Sequence, residues 1–294
     1  MQQLGLMQRL LKGLRQSQEV FEMSIPMINT ITGETVNVAT YLTEEGKRER
    51  EERQRKTAYR NNKVIPFVAC YLDPIKEVTQ HLSLIEGGAV MKLLHYLKQN
   101  GKGKLSREGK LLNQKDLQTI LGRGATQTKQ IVKRLEYLSI LIPIKEGRSK
   151  VFYINENFHC MGKLLNKPFT KLLKGRLSTI VDRLPLNQLG FLYKILPYFH
   201  FEKCFLCHNP NEEDFSVIRK MNRSDLAKAI NHDPDELTKI VKSLAKEGLI
   251  MTTESRGSLM YYVHPDLMYR KDSDGQDDYT SCLRGMFEEH FKNE

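Results

Sequence analysis

The stretch LNQKDLQTILGRGATQTKQIVKRLEYLSILIPIKEGRSKVFYINENF, residues 112–158, decides the fold. Leu117, Ile120 and Leu121 recur at three- and four-residue spacing, as do Ile131, Val132 and Leu135. This predicts two short amphipathic helices. Gly122 and Gly124 break the pattern between them and predict a tight turn. Ile142 to Ile154 is rich in β-branched and aromatic residues on both sides of Glu146-Gly147-Arg148-Ser149-Lys150, which predicts a hairpin with a basic tip. Helix, turn, helix and hairpin in that order are the sequence form of a winged helix-turn-helix.

The stretch occurs twice. Set Asn113 over Asn222, an offset of 109 residues, and NQKDLQTILGRG meets NRSDLAKAINHD, IVKRLEYLSIL meets IVKSLAKEGLI, and SKVFYINENF meets SLMYYVHPDL without a gap. The preceding helix repeats as well, Leu93-Leu94 and Tyr96-Leu97 answering Ile195-Leu196 and Tyr198-Phe199. Asn113 and Asn222 stand where an N-cap is wanted, with Asp116 and Asp225 in the first turn at the positive helix end. The expected fold is mainly α with small antiparallel β wings, an α+β chain of tandem, duplicated winged helix-turn-helix domains. Residues 61–166 form the first domain and 167–270 the second, flanked by an N-terminal region (1–60) and a C-terminal one (271–294).

The 294 residues carry 46 Lys and Arg against 35 Asp and Glu, a net charge of +11. A polyanion, usually nucleic acid, is the partner such a surplus favours. Five cysteines give no disulfide framework and fit a reducing compartment. No apolar run reaches the ~18 residues of a membrane span, and Arg9, Lys12 and Arg15 interrupt the N-terminal apolar run where a signal peptide would keep it clean. The expected location is cytoplasmic, with no membrane partner.

Outside the repeat, Leu4, Met7, Leu10, Leu11 and Leu14 predict an amphipathic N-terminal helix over residues 1–21. It suits docking on the body, pairing in a dimer, or lying on a membrane surface. Thr32-Gly33-Glu34 predicts a hairpin turn. KREREERQRKTAYR, residues 47–60, reads as a solvated helix or linker, or as a basic arm along a DNA backbone. Asp73 is expected to cap a helix beginning at Pro74, and Gly88 to Lys98 to form an apolar helix. Asp272 to Asp278 reads as an acidic linker. Thr280 to Phe291 then gives a helix whose Leu283, Met286, Phe287 and Phe291 share a side; with the N-terminal helix it is the candidate for homodimerisation.

The two copies differ in the second helix of the pair. In the first it is expected to expose Thr126, Gln127, Thr128, Lys129, Gln130, Lys133 and Arg134, groups suited to base edges and phosphates. Arg123 in the turn and Arg148 and Lys150 in the wing would meet the flanking backbone. The second copy opens instead with Asp233, Pro234, Asp235 and Glu236, which would repel phosphates while favouring the helix itself. That copy reads as a structural or pairing module, although Lys239, Lys242 and Lys246 leave DNA contact open.

Residues 27–165 resemble the RepL-type plasmid replication proteins, through Asn29-Thr30 with Thr32-Gly33-Glu34, FVACYLDPIKEV, GAVMKLLHYL, LLNQKDLQTIL, IVKRLEYLSILIPI and VFYINENF with Met161-Gly162 after it. MarR-like regulators share much of the pattern. The resemblance implies a winged-helix protein that binds double-stranded DNA at a replication origin, with the first-copy residues in that role. The duplicated half departs from the family, though initiators of other plasmid families are also built from paired winged helices, and phage relatives act as regulators. The expected function is therefore replication initiation or transcription regulation by sequence-specific binding, two chains meeting half-sites about one helical turn apart. The alternative is an adaptor gripping another protein, such as replication or transcription machinery.

No Gly-rich phosphate loop, His-x-His pair, HExxH or GxSxG is present, so neither an enzyme nor a cofactor is expected. Cys204-x-x-Cys207-His208 with His200 upstream admits three readings: ordinary thiols, a tightly spaced zinc set, or a haem-attachment string.

Overall fold

A computed structural model of the chain describes residues 26–28, 35–37, 65–255, 258–271 and 275–293. The expected helix over 1–21, the turn at 32–34, the basic stretch at 47–60 and residues 272–274 of the acidic linker lie outside them. The chain falls into two units, residues 1–62 and 63–294. In the first, β1 (Pro26–Ile28) pairs antiparallel with β2 (Thr35–Asn37), Met27 opposite Val36.

The second unit opens with β3 (Phe67–Tyr71), whose last four residues are buried. It runs straight into α1 (Leu72–Thr79), with Tyr71 at the N-cap and no side-chain cap. Asp73 therefore lies inside the first turn rather than before it, because Leu72 is drawn into the body and donates its N–H to the Pro168 carbonyl at 3.1 Å. Helix α2 (Leu84–Leu94) starts and ends four residues earlier than the apolar pattern suggested. Ser83 and Glu86 form a reciprocal capping box that fixes its start. After the small ribbon of β4 (Ser106–Arg107) and β5 (Lys110–Leu111) come α3 (Gln114–Leu121) and α4 (Ala125–Tyr137), then a hairpin of β6 (Leu141–Glu146) and β7 (Ser149–Ile154), then β8 (His159–Cys160).

The same order then recurs: β9 (Phe169–Leu173), α5 (Lys174–Ile180), α6 (Leu186–Ile195), α7 (Arg223–Ala229), α8 (Pro234–Lys246), a hairpin of β10 (Ile250–Ser255) and β11 (Ser258–Val263), and β12 (Met268–Tyr269). From α4 and α8 onward the bounds differ by 109 residues at both ends of every element. Local geometry recurs with them. Ser139 and Gly248 both have positive φ, at 56° and 63°. The N–H of Asn155 donates to the Ile140 carbonyl, as that of His264 does to Leu249, both at 3.0 Å. Helix α9 (Asp278–Asn293) follows β12.

The halves join in two layers. One is an antiparallel sheet of order β12-β9-β3-β8, with Ala69 opposite Lys171 at the central seam. The other is α2 packed on α6, the most extensive helix–helix contact of the described residues. The two helices approach at glycines: a Cβ on Gly88 would fall 1.9 Å from the Leu186 carbonyl oxygen, and one on Gly190 would fall 1.8 Å from that of Leu84. The contact is reciprocal, so the halves are related by a local two-fold. Lys92 and Lys194 follow the same relation. Lys92 pairs with Asp182 at 3.4 Å, and buried Lys194 donates to the Leu82 carbonyl at 2.7 Å. Burial pushes the Lys194 pKa down to about 8.

Because backbone rather than a flexible side chain occupies the space, Gly190→Ala should lower stability by about 1–3 kcal/mol, read as a lower urea midpoint. Gly124→Ala meets nothing within 4 Å and should shift the midpoint far less. Equal midpoints for the two variants would refute the close approach.

Among the described residues, one fully buried imidazole has no hydrogen-bond partner on either ring nitrogen. This is His159, which lies between Phe158 and the Tyr193 ring. Burial pushes its pKa down to about 3, and that of His264 to about 4. An unfolded histidine takes its proton near pH 6.5, well before the folded one does. Stability is therefore complete above about pH 6.5 and is lost as pH falls toward 3. His159→Phe should flatten the fall in melting temperature between pH 7 and pH 5; a variant with the parent's slope would contradict this.

Candidate nucleic-acid interface

Helix α3 starts where the backbone is captured by side chains. Asn113 Oδ1 accepts from the N–H groups of Lys115 and Asp116 at 2.8 and 3.2 Å, and Asp116 Oδ2 accepts from Asn113 N–H at 2.9 Å. It ends at Gly122, whose φ of 60° is the left-handed value that glycine adopts without strain. Gly124 then starts α4. Leu117, Ile120 and Leu121 of α3 and Ile131, Val132 and Leu135 of α4 are buried in the same core. That packing fixes which side of α4 remains in solvent.

The exposed side carries Thr126, Gln127, Lys129, Gln130 and Lys133. Arg148 and Lys150 are exposed on the hairpin, whose tip turns at Gly147 with φ 58°. Arg123 is half-buried in the turn. Three expected site residues differ from expectation. Thr128 is fully buried, because it precedes Ile131, Val132 and Leu135 by three, four and seven residues and so faces the core; its hydroxyl donates to the Arg123 carbonyl at 3.3 Å. Arg134 is half-buried, donates to the His81 carbonyl at 3.0 Å and lies 5.3 Å over the Tyr137 ring. Lys150 is paired with Glu136 at 2.6 Å and sits over Phe152, which ties the hairpin to the end of α4.

Tyr137, 78% exposed, was not anticipated. Its position four residues beyond Lys133 and seven beyond Gln130 puts it on the same ridge, a spacing already readable from the sequence. Lys115 on α3 and Lys145 on β6 add exposed cations nearby in the chain.

The second half repeats the frame with other chemistry. Asn222 and Asp225 form the same capping box on α7, and Asn231 takes the left-handed turn position of Gly122 with φ 49°. Asp233 caps α8, accepting from the N–H groups of Asp235 and Glu236 at 2.9 Å each, and those bonds hold its carboxyl below its ordinary pKa. Arg223 lies 3.4 Å from Asp235, and His232 3.2 Å from Glu236. The start of α8 thus remains anionic at its tip, while Lys239, Lys242 and Lys246 are exposed farther along.

Helix α9 runs from Asp278 to Asn293, and its Leu283 and Phe287 are buried within the chain. Half of the stripe expected to serve dimerisation is therefore spent on the chain's own body, leaving Met286 and Phe291 exposed.

Cys204 and Cys207 are buried, and burial pushes both thiols up to about 12. His200 is held by backbone: Nε2 bonds the Glu212 carbonyl, and Nδ1 accepts from the Glu202 and Lys203 N–H groups. His208 lies 3.5 Å from Asp225. Among the described residues no group of three or more His, Cys, Asp or Glu is placed to hold a metal ion, so the four are not assembled as a zinc set. None of the described helices is long and apolar enough to cross a membrane. No known protein family, curated protein or solved structure matches the chain.

Only Cys282 of the five cysteines is exposed. A disulfide reagent should therefore modify one thiol promptly in the native protein and all five in denaturant. Prompt native modification of two or more thiols would refute the burial of the other four.

Proposed function

We propose that the chain is a sequence-specific double-stranded DNA-binding protein of two winged helices in tandem, acting as a plasmid or phage replication initiator or as a transcription regulator. The observation that carries the reading is the exposed ridge of α4. Thr126, Gln127, Lys129, Gln130 and Lys133 combine amides, a hydroxyl and cations on one helix face, with Arg148 on the adjoining hairpin tip. Amides read base edges in a major groove, while lysines and arginine meet phosphates. The element order of helix, turn, helix and hairpin, present twice, supports the tandem assignment. The second half takes the structural role, because carboxylates at the start of α8 would face phosphates. A homodimer on a palindromic site would use the exposed Met286 and Phe291 of α9.

Arg123, Arg134 and Lys150 support the site more than they read it, since each is half-buried or engaged by the protein itself. Thr128 has no part in it beyond fixing the turn.

The test is retardation of duplex fragments selected from the replicon or genome that encodes the chain, titrated over salt. Affinity should fall steeply as salt rises, and the slope of log K against log salt should drop by about 1 for each of Lys129→Ala and Lys133→Ala. Gln127→Ala or Gln130→Ala should instead relax discrimination between sites, by about 1–3 kcal/mol. Binding unchanged in the lysine variants would remove α4 as the reading element.

A further inference from the structure

Helix α9 packs across the base of the β10–β11 hairpin. Tyr279 donates its hydroxyl to the Lys203 carbonyl at 2.8 Å, and the Lys203 ammonium lies 5.3 Å over its ring. Phe287 packs on His264, ring centres 4.8 Å apart. Phe291 reaches the turn at Gly248, where an added Cβ would touch its ring at 3.4 Å. Tyr279, Leu283, Phe287 and Phe291 are four residues apart, so they form one stripe along the helix. Met251, on that hairpin, is 3% exposed.

The residues at and beside that contact have counterparts in the first half. Lys203 answers to Lys102, Tyr262 to Tyr153, His264 to Asn155, Gly248 to Ser139, Met251 to Ile142 and Thr253 to Ile144. Yet the counterpart face is open: Ile142 is 41% and Ile144 37% exposed. Both lie on β6, and Pro143 stands between them. Proline offers no N–H to an incoming strand and so disfavours strand addition at this edge. The occupant that fits is a helix, as on the other half. Charge sets its direction. Lys102 is exposed and Lys104 is bridged beside Tyr153 at the base of the hairpin, whereas Glu146 lies at the tip and approaches Tyr153 Oη at 3.5 Å.

We propose that the outer face of the β6–β7 hairpin is a docking site for an amphipathic helix of a partner protein. The helix carries large apolar or aromatic residues four apart, as α9 does, with an acidic flank over Lys102 and Lys104. Ile142 and Ile144 are the anchors, since they are exposed where their counterparts, Met251 and Thr253, are buried and half-buried. The inference is independent of DNA reading: Ile142 and Ile144 alternate with Leu141, the residue that packs into the core, and take no part in the α4 ridge.

The probe is a fluorescent synthetic peptide of residues 278–293, titrated with the full chain and followed by anisotropy, with a scrambled peptide of the same composition as reference. The native peptide should bind saturably and at least tenfold more tightly than the scrambled one. Ile142→Glu with Ile144→Glu should weaken it at least tenfold while leaving the melting temperature unchanged, since both positions are exposed. Equal binding by the double variant would mean that the peptide only displaces α9 from its own seat, and would overturn the proposal, as would no saturable binding. A chain that sediments alone as a dimer and becomes a monomer in the double variant would also overturn it, because the occupant would then be a second copy.

Discussion

The close approach of α2 and α6 at Gly88 and Gly190 is the constraint on which the rest of the second unit depends. A backbone carbonyl from each helix occupies the volume that a side chain on the other would need. The helices can therefore lie near enough for Leu84, Leu186 and their neighbours to bury one another, and for β3 and β9 to close a common sheet beside them. Hydrophobic burial supplies the driving force, and the reciprocal glycines supply the fit. Lys92 and Lys194 reach across the joint to the loop of the opposite half, so its polar groups follow the same two-fold as its apolar ones.

On that symmetric frame the surfaces diverge. The starts of α4 and α8 occupy equivalent positions, but one offers Thr126 and Gln127 and the other Asp235 and Glu236. Anionic residues there stabilise α8 through the helix dipole and the Asp233 cap while repelling phosphate. The hairpins diverge as well. Met251 is buried, whereas Ile142 stays in solvent. A repeated backbone thus carries two different electrostatic faces and two different states of apolar cover.

Several site details were legible in residue spacing. Asn113 with Asp116 and Asn222 with Asp225 act within a few residues of each other, so both capping boxes could be read locally. The sides of α3 and α4 that face the core followed from three- and four-residue periodicity, and the same rule, applied to Thr128, assigns it to the core as well. Its polar side chain had suggested exposure, but periodicity outweighs polarity when one hydroxyl can be satisfied by a nearby carbonyl. The start of α2 was also local, in Ser83 and Glu86, but the apolar run beginning at Gly88 concealed it.

The sequence by itself determined the repeated order of elements, the helix caps and the contrast in charge between Thr126-Gln127 and Asp235-Glu236, because each depends on residues near one another in the chain. Only the tertiary structure decided that Gly88 and Gly190 meet, that Arg134 spends its guanidinium on His81, and that α9 packs at the base of the second hairpin while Ile142 and Ile144 of the first stay exposed. Those outcomes join residues tens to more than a hundred positions apart, and no local periodicity encodes such distances. The stretch from Leu112 to Phe158 therefore specifies its own helices and strands, but which of its faces remain open was set by the half of the chain that packs beside it.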